Sequence, residues 1–390
     1  METIFWILLL IIVYSYFGYP ILLLIINFCI KIVQSKPIKN DTNYEFPEVT
    51  IFIAAYNESD FVDQKVRNTL SLDYPKEKIH QIWVTDGSDD DTVKKLKKYT
   101  SEINIYHQTE RKGKTGAINR GMQFVNTPIV IFSDANTMLN KEAIKNIVAT
   151  FSDPKVGCVA GEKRIEAKDK NSAVNAGEGI YWKYESLIKT CESNINSALG
   201  AAGELFAIRT ELFTPIAKDT ILDDFTISMQ IAEKGYRIAY APNAFATEDA
   251  SINIKEEFKR KIRIAYGGFQ TLFRQISLFN IFKHPLLTIQ YFSHKVLRWL
   301  IIPFALVLVF ILNIILLFSN SYAIYIYLFL IQAVLYFFAM LGIIFQNKNF
   351  RLQWIFAPYY LMMMNYSVIL GFFRFLTKGQ TVNWERAKRK

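Results

Sequence analysis

Residues 3–30 carry no charged side chain. A helix needs about 20 consecutive apolar residues to cross a bilayer, so this segment is long enough to span one. A cleaved signal peptide would open on basic residues, hold a shorter apolar core and close on small residues. This segment instead opens Met1-Glu2-Thr3 and runs on through Tyr19-Pro20. Residues 299–347 form a second uncharged stretch, long enough for two helices with a turn at Ser319-Asn320-Ser321, and residues 352–373 form a third. Apart from Glu2, the charged residues of the chain fall between and after these stretches. Four membrane segments are therefore expected around one polar domain.

Lys31, Lys36 and Lys39 follow the first span, and the middle of the chain is rich in Lys and Arg, which places that domain on the cytoplasmic side by the positive-inside rule. The basic tail, with Lys378, Arg386, Lys388, Arg389 and Lys390, conflicts with an even number of spans. The conflict leaves two alternatives: the last segment is interfacial or re-entrant, bent at Pro358, or the charge rule fails here.

The formal net charge of +10 suits a domain that lies on anionic lipid and handles phosphorylated ligands. A nucleic-acid binder would show a basic motif interleaved with aromatics, and none stands out. Cys29, Cys158 and Cys191 have neither paired nor metal-ligand spacing, and His80, His107, His284 and His294 form no cluster, so disulfides and a zinc site are not expected.

Between residues 45 and 270, short β-branched runs alternate with helical patterns, the mark of a mostly parallel sheet covered on both faces. Strands are expected at 49–55, 79–85, 103–106, 129–132 and 236–241. Helices are expected to start near Asp60, Asp90, Gly116 and Lys141, with Ser59 and Asp89 as N-caps. In such sheets ligands bind beyond the carboxyl ends of the strands. Those positions read Ala55-Tyr56-Asn57-Glu58, Asp86-Gly87-Ser88-Asp89-Asp90, Arg111-Lys112-Gly113-Lys114 and Asp134-Ala135-Asn136. Carboxylates and lysines at successive strand ends would converge on a crevice fit for a phosphorylated ligand and a divalent cation. No G-x-G-x-x-G follows the first strand, and G-x-x-x-x-G-K-[ST] is missing, so dinucleotide and P-loop sites are disfavoured.

Residues 48–273 resemble the catalytic domain of membrane-bound family 2 glycosyltransferases, the group of cellulose, chitin, hyaluronan and poly-N-acetylglucosamine synthases. The likeness rests on motifs in order: Ala55-Tyr56-Asn57-Glu58, Thr85-Asp86-Gly87-Ser88, Gly113-Lys114-Thr115-Gly116-Ala117-Ile118-Asn119, Ser133-Asp134-Ala135-Asn136, Asp223-Asp224 and the basic run from Arg260 to Arg263. Each is weak alone. Their order between membrane segments makes them specific.

The resemblance implies roles. Ala55, Tyr56, Asn57, Glu58, Asp86, Lys114 and Asp134 would bind the donor, Asp86 against the nucleoside and Lys114, with Arg111 or Lys112, against the phosphates. Ordinary turn chemistry is the competing reading of Asp86-Gly87-Ser88. Asp134 would hold Mg²⁺ or Mn²⁺ with Asn136, which stands where the family's Asp-x-Asp has its second carboxylate. The family's Thr-Glu-Asp signature matches Thr247-Glu248-Asp249 letter for letter. The family's base, however, precedes a helix that ends in a Gly-Tyr turn, here residues 225–234 followed by Gly235-Tyr236. The base is therefore Asp224, and Thr247-Glu248-Asp249 is a decoy. Asp223 is a helper or an N-cap.

The family's Q-x-x-R-W becomes Arg260-Lys261-Ile262-Arg263-Ile264, which keeps Arg263 for the departing diphosphate and replaces the tryptophan with Ile264. Trp182, with Tyr181 and Tyr184, either stacks on an acceptor sugar or packs in the core, while Gly203 and Glu204 lie in a close-approach loop at 200–204. The tail with Trp384 and Arg386 would fold over the donor site if it lies inside.

The expected fold is α/β, a Rossmann-like glycosyltransferase-A domain between N-terminal and C-terminal transmembrane helices. Its parts are a helix at 1–35, a cytoplasmic domain at 45–275, an interfacial segment at 276–296, helices at 297–376 and a tail at 377–390. Amphipathic stretches between 252 and 295 would dock the domain on the bilayer. The expected reaction is inverting transfer from a UDP-sugar to a growing polysaccharide at a bacterial cell membrane. Single transfer to a lipid or other membrane acceptor and a non-catalytic nucleotide-binding membrane protein are the alternatives.

Overall fold

The computed structural model describes residues 1–33, 46–166, 173–249, 254–319, 322–345 and 353–379. Lys36, Lys39, the Asn320-Ser321 turn and the Trp384 and Arg386 tail lie outside these residues.

The eight-stranded sheet runs in the order β3-β2-β1-β4-β7-β6-β8-β5. Its strands are β1 Val49–Ala55, β2 Ile79–Asp86, β3 Asn104–Gln108, β4 Ile129–Phe132, β5 Met138–Leu139, β6 Val156–Glu166, β7 Phe206–Arg209 and β8 Arg237–Asp249. The first four pair in parallel. Beyond β4 the sheet becomes mixed: β7 is antiparallel to both β4 and β6, β5 is antiparallel to β8, and only β6 and β8 are parallel. Every residue of β1 is buried, as two-sided cover requires. Alternation assigns its residues to two cores: Ile51 and Ile53 pack with Trp83 and Ile131, whereas Phe52 packs with Val84, Phe132 and Phe206.

The helices used below are α1 Glu2–Val33, α2 Ser59–Leu70, α3 Gly113–Gly121, α4 Ala143–Thr150, α5 Ala173–Ile195, α6 Asp223–Glu233, α7 Ile254–Arg274, α8 Pro285–Ser319, α9 Ala323–Phe345 and α10 Gln353–Leu376. Helix α2 starts one residue before its expected position, and neither Ser59 nor Asp89 caps a helix through its side chain. Asp90 does that work instead, accepting the Ser59 N–H at 3.2 Å and the Thr92 N–H at 2.9 Å, so one carboxylate serves two helix starts.

Four helices among the described residues are long and apolar enough to cross a membrane: Glu2–Val33, Pro285–Ser319, Ala323–Phe345 and Phe356–Leu376. Helix α10 runs through Pro358 without a break. Phe5 of α1 packs with Val309, Leu312 and Leu316 of α8. Both α1 and α8 contain π-helical stretches, Tyr14–Gly18 and Phe292–Ile301, that meet where the Tyr14 hydroxyl lies 2.9 Å from Ser293 Oγ. Helix α7 links the domain to this bundle. Its Phe269 and Phe273 rings lie against Phe372 and Phe375 of α10, and Gly371 brings the α10 backbone close to Ala265.

Candidate active site

The carboxyl ends of β1, β2 and β4 face one cleft, and two cavities occupy it. The narrower one lies among Ala55, Tyr56, Asp86, Arg111 and Lys114. Arg111 places its guanidinium 3.7 Å from the centre of the Tyr56 ring, so a cation covers one face of that ring. Asp86 accepts the Lys112 N–H at 2.9 Å through Oδ1 and the Gly113 N–H at 2.7 Å through Oδ2. Helix α3 therefore starts at Gly113, earlier than expected, with Asp86 already holding its opening amides. The turn at Gly113 needs a φ of +79°, where glycine is favoured. Asn57 and Glu58 face the neighbouring loop: Asn57 donates to Asp89 Oδ1 at 2.6 Å, and the Glu58 N–H donates to the Thr92 hydroxyl.

The larger cavity, about 320 Å³, is where the polar residues converge. Lys114 donates to Asp134 Oδ1 at 2.8 Å and lies 3.3 Å from Asp223 Oδ2. A Cβ added at Gly203 would stand 3.3 Å from Asp224 Oδ2, 3.3 Å from Lys114 Nζ and 3.5 Å from Asp134 Oδ2. The missing side chain thus leaves a cradle bounded by two carboxylates and an ammonium. One carboxylate with open space beside it suits a divalent cation that takes its remaining ligands from phosphate and water. Among the described residues no group of three or more His, Cys, Asp or Glu side chains forms a cage, so an ion here would depend on the substrate for ligands.

Electrostatics divide the carboxylates. Burial raises the Asp224 carboxyl to about 7; adjacent Asp223 adds to the rise and Lys114 opposes it. Burial also raises Asp134, against the pull of Lys114. Burial would raise Glu204 too, but Lys163 sits on it and holds it well below the usual carboxylate range. A buried carboxylate that titrates near neutrality is matched to proton abstraction.

Arg263 lines the same cavity from α7, together with Arg260, Lys261 and Ile264. Arg260 holds Glu257 through two contacts of 2.9 Å. Trp182 lines the cavity with Tyr181, and the Lys163 ammonium lies 5.3 Å from the Trp182 ring centre. Tyr184 takes no part there. Its hydroxyl donates to the Tyr16 carbonyl and accepts from Arg298. Asn136 donates through its amide to Glu248 Oε1 at 3.3 Å. The expected strand at 236–241 extends to Asp249, so Thr247-Glu248-Asp249 lies within β8 rather than after it, and buried Glu248 pairs with Lys163 at 2.5 Å. Asp223 and Asp224 open α6, and the helix ends in a turn at Gly235 with φ +93°.

Four residues escaped the sequence reading. Lys65 is fully buried and donates to Ser133 Oγ and the Thr137 carbonyl, each at 2.7 Å, bracing the loop that carries Asp134. Burial lowers its pKa to about 7. Lys163 bridges Glu204 and Glu248. Lys189 reaches the cavity from α5, and Trp299 reaches it from α8, packing against Gly268 and Phe225. A tryptophan therefore stands in the cavity that Ile264 lines.

The chain is similar to known proteins. A poly-beta-1,6-N-acetyl-D-glucosamine synthase of Staphylococcus aureus (strain MSSA476) is 32% identical over 249 residues, 60% of this chain and 58% of that protein. The Staphylococcus epidermidis synthase is 28% identical over 236 residues, 58% and 56% of the two chains. The match thus spans less than two thirds of these relatives' length. A solved structure of a Pyrobaculum calidifontis mannosyltransferase, in complex with GDP-Man and Mn²⁺, shares the fold over 97% of this chain and 99% of that one, with a TM-score of 0.70 and 22% identity. The sequence profile described as glycosyltransferase like family 2 matches residues 47–267, more than half of the chain, and the chain belongs to that family.

Proposed function

We propose that this protein transfers a sugar, with inversion, from a UDP-sugar to a carbohydrate acceptor extended at a membrane. The observation that carries the reading is the pair of charge systems meeting at Gly203. Asp134 and Lys114 stand on one side and Asp224, with its raised pKa, on the other. Asp86 and Tyr56 take the nucleoside, Lys114 and Arg263 the diphosphate, and Asp134 the divalent cation, Mg²⁺ or Mn²⁺, with Asn136 beside it. A bound ion neutralises charge on the diphosphate leaving group. Asp224 accepts the proton of the acceptor hydroxyl, Asp223 and Glu204 shape the acceptor side, and Trp182 offers a face to the acceptor sugar. With one base and no enzyme nucleophile, displacement is in line and an α-linked donor gives a β-linkage.

The staphylococcal relatives, named as poly-beta-1,6-N-acetyl-D-glucosamine synthases, support a polysaccharide product. The Pyrobaculum neighbour, solved with GDP-Man and Mn²⁺, supports a nucleotide-sugar donor and a divalent metal. The domain faces the cytoplasm, where nucleotide sugars are available, and the four apolar helices hold it at a bacterial cell membrane. A second reading, single addition to a lipid-linked acceptor, is favoured by an apolar cavity of about 270 Å³ that adjoins the site and is walled by α1, α5, α8 and α10.

The test supplies the purified chain in lipid with a panel of labelled UDP-sugars, and GDP-mannose as a competitor donor, with Mn²⁺, Mg²⁺ or a chelator. Polymeric product from a UDP-sugar, lost in chelator and restored by metal, is expected. Transfer from GDP-mannose alone overturns the donor assignment, and full activity in chelator removes the metal role of Asp134.

A further inference from the structure

The α5 helix turns Trp182, Glu185 and Lys189 toward the large cavity, a stripe of about 10 Å at 1.5 Å per residue. Lys189 is 6% exposed. Among the described residues its ammonium makes neither a hydrogen bond nor an ion pair, and its recorded neighbour is the Tyr240 ring, centred 5.9 Å away. A buried ammonium without a partner is costly, and such a cost is offset where a ligand brings the counter-charge.

Neighbouring groups do not supply that charge. Glu185 is taken by Lys295 at 2.8 Å, His294 at 3.1 Å and Arg298 at 3.6 Å. Glu192 accepts from Tyr19 at 2.7 Å and contacts His294 at 2.8 Å. Lys295, His294 and Arg298 thus share Glu185, and among the described residues no carboxylate lies within ion-pair distance of Lys189. Glu185, Lys295, Asp224 and Glu204 act on Lys189 only through space, and burial lowers its pKa overall. Lys189 and Lys295 line the catalytic cavity and Arg298 lines the apolar one, and the two cavities adjoin at Tyr181, Trp299, Met364 and Val368.

We propose that Lys189 binds an anionic group of the phosphate class carried by the acceptor, placed so that the acceptor's apolar portion occupies the adjoining cavity. The inference rests on the reading of the larger cavity as an acceptor site. A lipid phosphate and the phosphate of a water-soluble acceptor share this chemistry, and the cavity between the membrane helices favours the lipid.

The experiment uses the full chain in phosphatidylcholine nanodiscs and reads Tm with farnesyl phosphate, farnesol or inorganic phosphate. A ligand that binds only the folded state raises Tm. Farnesyl phosphate should raise the Tm of the wild type by several degrees more than farnesol. Lys189→Met should abolish that increment while raising the ligand-free Tm, because a partnerless charge is gone; a merely structural lysine would give the opposite shift. Lys189→Arg should retain the increment. An equal increment from inorganic phosphate, lost in Lys189→Met, assigns the anion to a water-soluble acceptor. An undiminished increment in Lys189→Met, or a fall in its ligand-free Tm, overturns the proposal. UDP with Mn²⁺, added to the wild type in the same assay, tests the donor reading separately: no shift there counts against the function, not against Lys189.

Discussion

The Lys114 ammonium donates to Asp134 Oδ1 at 2.8 Å, so the carboxylate proposed for the metal is already paired with a cation of the same cleft. The same ammonium holds down the Asp224 pKa. The acidic limb of the rate profile should therefore lie near pH 7, with activity falling as pH drops and Asp224 takes up a proton. In Lys114→Met the limb should move to higher pH, and the KM for the donor should rise. Rate measurements from pH 5 to 9 check both, and an unmoved limb would show that Asp224 is not the group being titrated.

Asp224→Asn keeps size and most hydrogen bonding but removes the proton acceptor. Turnover should fall by roughly 10² to 10⁴ fold while UDP binding stays nearly intact. Asp249→Asn, at the end of β8, should do much less. The raised Asp224 pKa also fixes a sign for stability. A carboxyl whose folded pKa exceeds its unfolded value stabilises the fold at low pH and loses that contribution as pH rises through about 7. Asp224→Asn should thus raise Tm at pH 8 and leave it unchanged near pH 3, which paired melts at the two pH values would read.

Two glycines of one loop should fail differently. Gly200 has φ +83°, and a Cβ there would stand 2.1 Å from the Phe225 ring, so Gly200→Ala should lower Tm and expression. Gly203 has ordinary backbone geometry, and its Cβ would fill the cradle between Asp134 and Asp224. Gly203→Ala should fold, and should need more Mn²⁺ and donor for half-maximal rate. Metal titrations of folded Gly203→Ala check this, and wild-type requirements would empty the cradle of its role.

Glu248→Gln tests the decoy from another side. Lys163 is buried between Glu204 and Glu248, and removing one partner of a buried pair costs about 3–5 kcal/mol. Activity should decline together with Tm. Loss of turnover at unchanged Tm would instead make Glu248 a participant in the chemistry.

The parallel half of the sheet was legible because each strand is an apolar run bounded by turn residues, and the donor-side motifs sit at its ends. The rest escaped for physical reasons. Strand β7, Phe206–Arg209, takes its identity from antiparallel pairing with β4 and β6 rather than from a pattern of its own. β8 reads as two segments because Pro242-Asn243 interrupts its pattern, which ends the expected strand before Thr247-Glu248-Asp249. Asp223-Asp224 was readable from the helix and Gly-Tyr turn that follow. Lys65 and Lys189 were not, because a lysine on a helix normally signals a solvated face, and only the tertiary fold shows one buried beneath a loop and the other turned into a cavity.

Trp299 packs on Gly268 and lines the cavity from a helix that composition assigns to the bilayer, while Met364 and Val368 close the same side from α10. Composition draws the boundary of the polar domain near residue 275, but on the proposed reading the boundary of the reaction vessel runs through the long apolar helices. Excised at that point, the sheet and its motifs would keep every residue named for donor chemistry and lose a wall. The anchor is thus part of the instrument, and the lipid around it becomes a variable of the reaction.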